Sequence, residues 1–448
     1  MNTPRRANSK SSPLRFRKTL SIPGMLRQVR KAFGQIVDTC KGSDYALIDV
    51  LMSGLAVFWL KYPSLLKFDE KRSEPKIRAN LASLFGVKQA PCDTQLRTRL
   101  DEVTPEDLRP AFVGLHHQLQ RQHVLDEYRY LGGLLLSVDG TGQFSSTKIR
   151  CPECCERRHA KGEKEYYHQL LGAAIVHPDK AQVFPVFPET ITHQDGESKN
   201  DCERNAAKRL LPAIRAAFPQ RQFIVLEDSL QANAPHIKQL KTFGYRFIIG
   251  VKPGDHAALF DEVNRRLIAG ETHEFERQDR HGVIWGYRFV NDVALNASHP
   301  DMRVNFLDHW EIDKQGRLHH FTFITDIELT EQNVALVAKA GRARWKVENE
   351  TFNTLKNLGY HFEHNYGHGK KHLASVFANL MMLMFLIDQI QERCCALFKA
   401  ARQRFRSRTS LWEKIRGLFL EFYIETWEDL FQSIIFGHKA RALQPDTT

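Results

Sequence analysis

"LGGLLLSVDGTG" (residues 131–142) is the stretch that decides the fold class. Its apolar run has the length of a buried strand and leads into a glycine-rich turn, with Asp139 where the strand ends. The patterns that follow predict two strands, a helix, a strand, a helix and a strand. Their sequences are, in order, "YYHQLLGAAIVHP", "AQVFPVFPETI", "NDCERNAAKRLLPAIRAAF", "QFIVLEDSL", "NAPHIKQLKTFG" and "YRFIIGVKPG".

This order predicts an α/β fold with a mixed five-stranded sheet and helices on both faces. Three strands can pair as a meander, and right-handed β-α-β crossovers follow them. Residues from about 255 to 328 are β-rich and predict a separate inserted sheet, with a hairpin turn at 313–316. We expect this core to occupy residues 131–390, between a helical domain over 32–130 and a helical C-terminal region over 391–448.

The charge of the chain suits a polyanionic partner such as nucleic acid. Its 448 residues carry a net charge of +12, and the pI is near 9.3. Residues 1–31 contain nine Lys or Arg and no acid, which predicts a basic tail that is disordered until it meets phosphates. The tail lacks the apolar core of a signal peptide, whereas a mitochondrial presequence stays open as an alternative.

Cysteine usage and hydropathy favour a protein of a reducing cytoplasm. Eight cysteines in a chain of this size do not resemble a secreted disulfide framework. The longest apolar run, "LASVFANLMMLMFLI" (residues 373–387), is short for a membrane span and is interrupted by Ser375 and Asn379. We therefore expect a buried helix there and no membrane partner.

The N-terminal helical region contains one candidate DNA-binding motif. "IRANLASLFGVKQAPCDTQLRTRLDEV" (residues 77–103) has the pattern helix, glycine-containing turn, basic helix. This pattern predicts a helix-turn-helix with Gln95, Arg97 and Arg99 on the recognition helix. An ordinary helical hairpin explains the same pattern equally well.

Two aspartates stand at the ends of predicted strands. Asp139 ends the first strand and Asp228 ends the fourth, so the two meet at one edge of the sheet if these strands are neighbours. Neighbouring carboxylates repel, and a metal ion is the usual remedy. Mg²⁺ favours one or two carboxylates together with waters and phosphate oxygens, and two such ions support phosphoryl transfer. Taken singly, Asp139 can simply form a turn and Asp228 can simply cap a helix.

"RARWKVENETFNTLKNLGY" (residues 342–360) offers a third acid, either Glu348 or Glu350. On an α-helix, at about 100° per residue, Glu348 falls within the apolar stripe and Glu350 falls on the opposite face. The stripe consists of Trp345, Phe352 and Leu355, and it is flanked by the cations Arg344 and Lys356. A carboxylate within an apolar stripe needs a partner such as a metal, so this geometry predicts Glu348.

Several of these motifs together resemble those of the insertion-sequence DDE transposases. The motifs are "VDGT", "LEDS", "RWKVEN" and "LKN.GY", and the resemblance covers about residues 131–386. It implies an RNase H-like core with a β-rich insertion. It also implies that Asp139, Asp228 and Glu348 are catalytic and bind two Mg²⁺ or Mn²⁺ ions.

The resembling families carry a Tyr-Arg-Glu-Lys signature on the glutamate helix, and this chain departs from it at two positions. Arg344 and Glu348 match the signature. Lys356 follows the glutamate by eight residues where the signature has seven, and Gly341 stands at the tyrosine position.

The resemblance implies a reaction on DNA. Hydrolysis at a transposon end exposes a 3′-OH, which attacks target DNA directly or first attacks the opposite strand to form a hairpin. Implied partners are the terminal inverted repeats, the target DNA and a second copy of the chain, in a bacterial cytoplasm and associated with the nucleoid. A nuclease with the same core but without strand transfer is one alternative, and an inactive DNA-binding derivative is another.

Six residues are candidates for contact with DNA. Arg344 and Lys356 belong to the signature, and the basic loop "YGHGKKHL" contributes two lysines, although a plain surface loop explains it nearly as well. Related enzymes stack an aromatic residue of the insertion on a flipped base, for which Trp285 is the candidate and Trp310 the alternate. A tryptophan of the core is the competing interpretation for both. The six candidates are Arg344, Lys356, Trp285, Lys252, Lys370 and Lys371.

"CPECCERRHAKGEKEYYH" (residues 151–168) offers ligands for a structural Zn²⁺ ion. The predicted ligands are Cys151, Cys154, His159 and His168. A cysteine-containing hairpin tip is the alternative. His364, His368 and His372 also recur every four residues, but two glycines in "NYGHGKK" argue against a helix there, so we interpret this spacing as accidental.

Overall fold

Twelve strands form one mixed sheet within the part of the chain that the structure describes. This structure is a computed structural model and describes residues 19–40, 42–159, 162–196, 199–437 and 443–445. The strands are β1 (Arg129–Tyr130), β2 (Gly133–Ser146), β3 (Cys155–Arg158), β4 (Lys164–Val176), β5 (Phe184–Pro185), β6 (Glu189–Ile191), β7 (Phe223–Glu227), β8 (Arg246–Gly250), β9 (His273–Gln278), β10 (Ile284–Asn296), β11 (His299–Ile312) and β12 (Leu318–Thr325), with β13 (Phe422–Ile424) and β14 (Leu443–Pro445) forming a separate pair. Nine strands follow one path, β3-β4-β2-β7-β8-β12-β11-β10-β9, while β1 pairs with β2, and β5 and β6 pair with β4.

The mixed α/β character predicted from the sequence is confirmed, but the predicted size of the sheet is wrong. β2, β7 and β8 pair in parallel, as crossovers require. The strands of the predicted insertion do not form a sheet of their own, because β12 pairs antiparallel with β8 through Phe323 and Gly250. This pairing satisfies backbone groups along the edge of β8 that would otherwise be exposed. The β–α alternation also continues one step further than expected, through the helix Ala257–Ile268.

Helices flank these strands in sequence, and the chain divides into two compact units. The first unit contains Met1–Val124, Gln143–His168 and Asn353–Thr448, and the second contains Leu125–Gly142 and Gln169–Phe352. The helices are Ile22–Phe33, Leu47–Trp59, Leu65–Arg72, Pro75–Phe85, Asp93–Leu100, Pro105–Arg121, Lys199–Ala217, Ala234–Thr242, Ala257–Ile268, Val334–Arg342, Asn353–Asn357, Leu373–Cys394, Ala396–Gln403, Arg408–Glu421 and Trp427–Phe436.

The predicted disordered tail is too long, because its last ten residues belong to a helix. The helix Ile22–Phe33 begins with a proline in its first turn and buries an apolar face spaced at three and four residues. The buried residues are Ile22, Met25, Leu26, Val29 and Phe33. The remainder of the predicted tail, residues 1–18, lies outside the described residues.

The longest apolar run is a buried helix, as predicted. Leu373–Cys394 is long and apolar enough to cross a membrane, but the whole of its apolar window is buried inside the protein. It packs against Leu47–Trp59 and Pro105–Arg121, which belong to the same unit. Burial against protein therefore explains the composition of this helix.

This helix contributes Asp388 to an ion pair that is buried in the core of the first unit. Nζ of Lys61 lies 2.9 Å from Oδ2 of Asp388, and each side chain is 2% exposed. The hydroxyl of Tyr360 also donates a hydrogen bond to Asp388, and the ammonium of Lys61 lies 3.6 Å from the centre of the Tyr360 ring. Burial lowers the pKa of Lys61 and raises the pKa of Asp388, because it disfavours both charged forms, and the mutual attraction opposes both shifts.

We expect Lys61→Met to lower the free energy of unfolding by about 3–5 kcal/mol, because it leaves a buried carboxylate without its cation. Urea denaturation followed by circular dichroism measures the loss. The double variant Lys61→Met/Asp388→Leu should recover most of it. Lys67→Ala is the control, since Lys67 and its partner Glu70 are 59% and 42% exposed, and its effect should stay within about 0.5 kcal/mol. Equal losses of unfolding free energy in Lys61→Met and Lys67→Ala would contradict this interpretation.

Candidate functional site

The parallel pairing of β2 and β7 brings two aspartates to one edge of the sheet. Ser137 stands opposite Leu226 in this register. Asp139 and Asp228 each follow two residues later, so both lie just beyond the last paired residues. Asp228 follows the end of β7, but β2 continues to Ser146, so the predicted strand end and turn at Asp139 are wrong. The adjacency on which the sequence-based prediction depended is present.

Asp139 is half-buried and held from two sides. Nη1 of Arg344 lies 3.0 Å from its Oδ2, and the amide of Gly140 donates to its Oδ1 at 2.8 Å. The carboxylate is therefore fixed in orientation, with a guanidinium balancing its charge.

Burial and neighbouring charges together raise the pKa of Asp139. Burial raises this pKa, Arg344 opposes the rise, and the negative charges of Asp228 and Glu348 raise it further. Asp228 also accepts a hydrogen bond from the amide of Leu230 at 3.0 Å and caps a short 3₁₀ turn. The capping role that was the alternative for Asp228 is thus real, and it coexists with a position beside Asp139.

The segment that carries the third acid is not an α-helix. Residues Ala343–Trp345 form a 3₁₀ turn and Val347–Phe352 form a π-helix, and an α-helical turn resumes only at Asn353–Asn357. Spacing of 100° per residue therefore does not apply. The prediction that Glu348 lies within a buried apolar stripe and Glu350 on the opposite face is wrong. Glu348 is exposed and Glu350 is half-buried, while Trp345 is 43% exposed. The choice of Glu348 now rests on its electrostatic effect on Asp139.

The π-helical segment is anchored at both ends within the second unit. The hydroxyl of Ser137, on β2, donates to the carbonyl of Arg344 at 2.6 Å. At the other end the ring of Phe352 lies over Gly172 of β4, where a Cβ atom would come within 2.8 Å of it. A π-helix holds more residues per turn than an α-helix, so this segment can take up the extra residue that separates Glu348 from Lys356.

Gly341 stands where the resembling signature has tyrosine, and the structure gives the reason. A Cβ atom at this position would lie 2.6 Å from the ring of Phe323, which is on β12. The aromatic ring of Phe323 therefore occupies the space beside this helix that any side chain at Gly341 would need. The departure from the signature is a packing requirement of this chain.

The candidate DNA-binding lysines are on the surface, and two of them have acidic partners. Nζ of Lys356 lies 2.9 Å from Glu363. Nζ of Lys371 lies 2.7 Å from Glu102. Surface pairs of this kind contribute little stability and exchange readily for other anions. Lys252 and Lys370 have exposed side chains.

Neither candidate tryptophan belongs to the core, so that competing interpretation is wrong. Trp285 is partly exposed and stacks parallel to the ring of His309, with centroids 6.0 Å apart. Trp310 is also partly exposed, but its indole N–H donates to Glu276 at 2.8 Å and its ring covers Gly286. Trp285 thus keeps a ring that is accessible on the surface of the inserted strands.

The predicted recognition helix, Asp93–Leu100, exists, but one of its three candidate residues is buried. Arg99 is 2% exposed, and its guanidinium lies 2.6 Å from Asp38 and donates to the carbonyl of Tyr45. Arg97 donates to the carbonyl of Tyr366 at 3.1 Å. Arg99 therefore stabilises its own unit, which favours the ordinary helical hairpin at this position. Gln95 remains exposed.

Two further acids lie beside the aspartates, and the sequence did not single them out. Glu203, on the helix Lys199–Ala217, is buried, and its carboxylate fills the space next to Gly140 that a Cβ atom would take. Glu227, the residue before Asp228, is buried with His236 at 2.7 Å. Glu203 lies far from Gly140 in the sequence, and only the three-dimensional packing brings the two together.

The predicted zinc ligands come together only in part. Cys151, Cys154 and His168 converge, but Nε2 of His159 lies 2.7 Å from Glu165, and its side chain is 48% exposed. The fourth position is taken by His368. Its spacing from His364 and His372 is accidental, as expected, yet the residue itself belongs to the cluster.

Comparisons with known proteins give little guidance. No family model matches the chain, and no curated protein matches it. Among solved structures, it is similar to the cryo-EM structure of a piggyBac transposase synaptic complex with hairpin DNA. The identity is 9% and the TM-score is 0.40, over 97% of this chain and 84% of that chain. A likeness of this degree assigns no family, so the function has to be inferred from the residues of the site.

The donor set of the site fits a hard divalent cation. Asp139 and Asp228 offer oxygen ligands, Glu348 adds a third carboxylate, and Mg²⁺ and Mn²⁺ prefer such ligands. The like charges that raise the pKa of Asp139 would be neutralised by a bound cation. Arg344 balances part of this charge in the structure.

We expect Gly341→Ala to destabilise the protein by about 1–3 kcal/mol, because the methyl group collides with Phe323. Gly417→Ala is the matched control, since it is also a helical glycine but has nothing within 4 Å of the added atom, and it should be neutral or stabilising by up to about 1 kcal/mol. Urea denaturation compares the two. In the background Phe323→Leu the cost of Gly341→Ala should fall by at least about 0.5 kcal/mol. An unchanged cost in that background would show that Phe323 is not the obstacle.

Proposed function

We propose that this chain is a DNA transposase that cleaves transposon ends and transfers the exposed strand into target DNA. The observation that carries the proposal is the meeting of Asp139 and Asp228 just beyond the parallel pairing of β2 with β7, with the charge of Glu348 adding to the rise in the pKa of Asp139. Carboxylates on neighbouring parallel strands, together with a third acid, are typical of sites that hold divalent metal ions for phosphoryl transfer. The sequence motifs that resemble the insertion-sequence DDE transposases point to the same three residues.

Asp139, Asp228 and Glu348 would hold two Mg²⁺ or Mn²⁺ ions. Such ions stabilise the charge that develops on the attacking and leaving oxygens of a phosphodiester. Arg344 is hydrogen-bonded to Asp139 and would fix the orientation of that carboxylate while a phosphate approaches. Because Glu348 is exposed, its carboxylate is accessible to a cation and to DNA.

DNA contact would combine charge with stacking. The net charge of +12 favours association with the phosphate backbone in a salt-dependent manner. Lys252 and Lys370 have exposed side chains, and Lys356 and Lys371 would exchange their surface acids for phosphates. Trp285 offers a partly exposed indole for stacking on a base. Transposition joins two ends to one target, so we include a homodimer, terminal inverted repeats and target DNA in the proposal.

The test uses the full-length protein and a plasmid that carries the DNA bordering its gene on both sides. In Mg²⁺ we expect nicking or double-strand cleavage at those borders and joining of the labelled ends to a second plasmid. Asp139→Asn, Asp228→Asn and Glu348→Gln should each lower cleavage by at least about 100-fold, because metal ions supply several kcal/mol of transition-state stabilisation. Mn²⁺ binding, measured by electron paramagnetic resonance, should weaken in the same variants.

Glu350→Gln is the matched control, since it removes a neighbouring carboxylate of the same segment, and it should cleave and bind Mn²⁺ as the natural protein does. DNA binding, measured by gel shift, should persist in all four variants. Cleavage without joining would identify a nuclease. Binding of DNA without cleavage by the natural sequence would identify an inactive derivative. Full activity of any one of the three variants would remove that residue from the site.

A further inference from the structure

Four side chains with soft or intermediate donor atoms converge in the first unit. Sγ of Cys151, Sγ of Cys154, Nε2 of His168 and Nδ1 of His368 all lie within 4.8 Å of one another. The two sulfurs are 3.5 Å apart, and Nε2 of His168 lies 3.3 Å from one and 3.4 Å from the other. Nδ1 of His368 lies 3.6 Å from Sγ of Cys154.

These separations match the edges of a tetrahedron around one zinc ion. With Zn–S bonds of about 2.3 Å and Zn–N bonds of about 2.0–2.1 Å, tetrahedral geometry places two sulfurs about 3.8 Å apart and a sulfur about 3.6 Å from a nitrogen. The observed distances lie within about 0.3 Å of those edges. They are also far longer than the bond of about 2.0 Å that joins the sulfurs of a disulfide.

The segments that supply the ligands are held by their own packing. Cys151 and Cys154 form a tight turn in which the amide of Cys151 donates to Sγ of Cys154 at 3.3 Å, as ligating thiolates commonly accept from backbone amides. His168 belongs to β4 and is buried. The protein therefore preorganises three of the donors, two in the turn that precedes β3 and one on β4.

His368 is delivered by a loop that is fixed independently. Asp101 accepts hydrogen bonds from the amides of residues 370 to 373. The hydroxyl of Tyr366 donates to the carbonyl of Tyr62 at 2.7 Å. The ring of His368 packs edge-on against Phe144, with centroids 4.5 Å apart. These contacts hold the imidazole against the two sulfurs.

The other ring nitrogens identify the coordinating ones. Nε2 of His168 and Nδ1 of His368 are the nitrogens that face the sulfurs. Among the described residues, the other nitrogen of each ring is buried and lacks a hydrogen-bond partner. Buried donors and acceptors that converge in this way are costly unless an ion satisfies them together. Two sulfurs and two imidazoles in tetrahedral array select zinc over the hard cations expected at the carboxylates.

We propose that Cys151, Cys154, His168 and His368 bind one structural zinc ion. All four positions are filled by protein, so the ion has no open site for a substrate and acts as a cross-link. It ties the turn before β3 to β4 and to a loop some 200 residues further along the chain, 368 − 168 = 200. The inference is independent of the proposed function, because the four ligands share no residue with the carboxylate site.

The first experiment measures metal in the full-length protein purified without chelators. Mass spectrometry should find about one zinc per chain that survives gel filtration in excess EDTA. Replacement by Co²⁺ should give the visible d–d absorption of a tetrahedral site and thiolate-to-cobalt charge-transfer bands. Absence of zinc together with absence of these bands would overturn the proposal.

Variants then assign the ligands. Cys154→Ser and His368→Gln should each lose the stoichiometric zinc, whereas the matched neighbours Cys155→Ser and His159→Gln should keep it. His368→Cys distinguishes loss of a ligand from misfolding, because it replaces one ligand with another. It should retain the metal and strengthen the cobalt–thiolate bands. Loss of zinc in His159→Gln with retention in His368→Gln would restore the ligand set predicted from the sequence and refute this one. Full zinc in Cys154→Ser would show that the metal binds elsewhere.

Discussion

The parallel pairing of β2 with β7 is the constraint on which the candidate site depends. Four residue pairs, from Leu134 opposite Phe223 to Ser137 opposite Leu226, set the register. A slip of one residue would turn the side chains of one strand to the other face of the sheet, and the two aspartates would then point in opposite directions. The buried apolar residues of both strands make such a slip costly, so hydrophobic packing specifies the geometry of a polar site.

The sequence predicted the features that depend on local patterns. Apolar runs bounded by turn residues predicted β2, β4, β7 and β8. The meeting of Asp139 and Asp228 was predicted only on the condition that their strands are neighbours, and the pairing of β2 with β7 meets that condition. It could not predict how the inserted strands pair, because strand patterns do not specify which edge they meet. It also could not predict His368 as a partner of Cys154, since only the tertiary fold joins positions so far apart.

The glutamate segment shows why a helical wheel could not place Glu348 and Glu350. The angular argument assumed one helical period from Arg344 to Lys356, whereas the backbone passes through a 3₁₀ turn and then a π-helix. Each change of period rotates every later side chain relative to an ideal α-helix. The support for Glu348 is instead its negative charge, which adds to the rise that burial causes in the pKa of Asp139.

The division of the chain into two interleaved units limits how this protein can be taken apart or exchanged. Residues 143–168 belong to the first unit, but in the chain they lie between the two segments of the second. No contiguous fragment therefore contains the whole second unit without part of the first. Shuffling of gene segments at a single junction therefore cannot transfer the carboxylate-bearing unit alone to another protein. The two units are inherited together, and a substitution in one unit has to be compatible with the other.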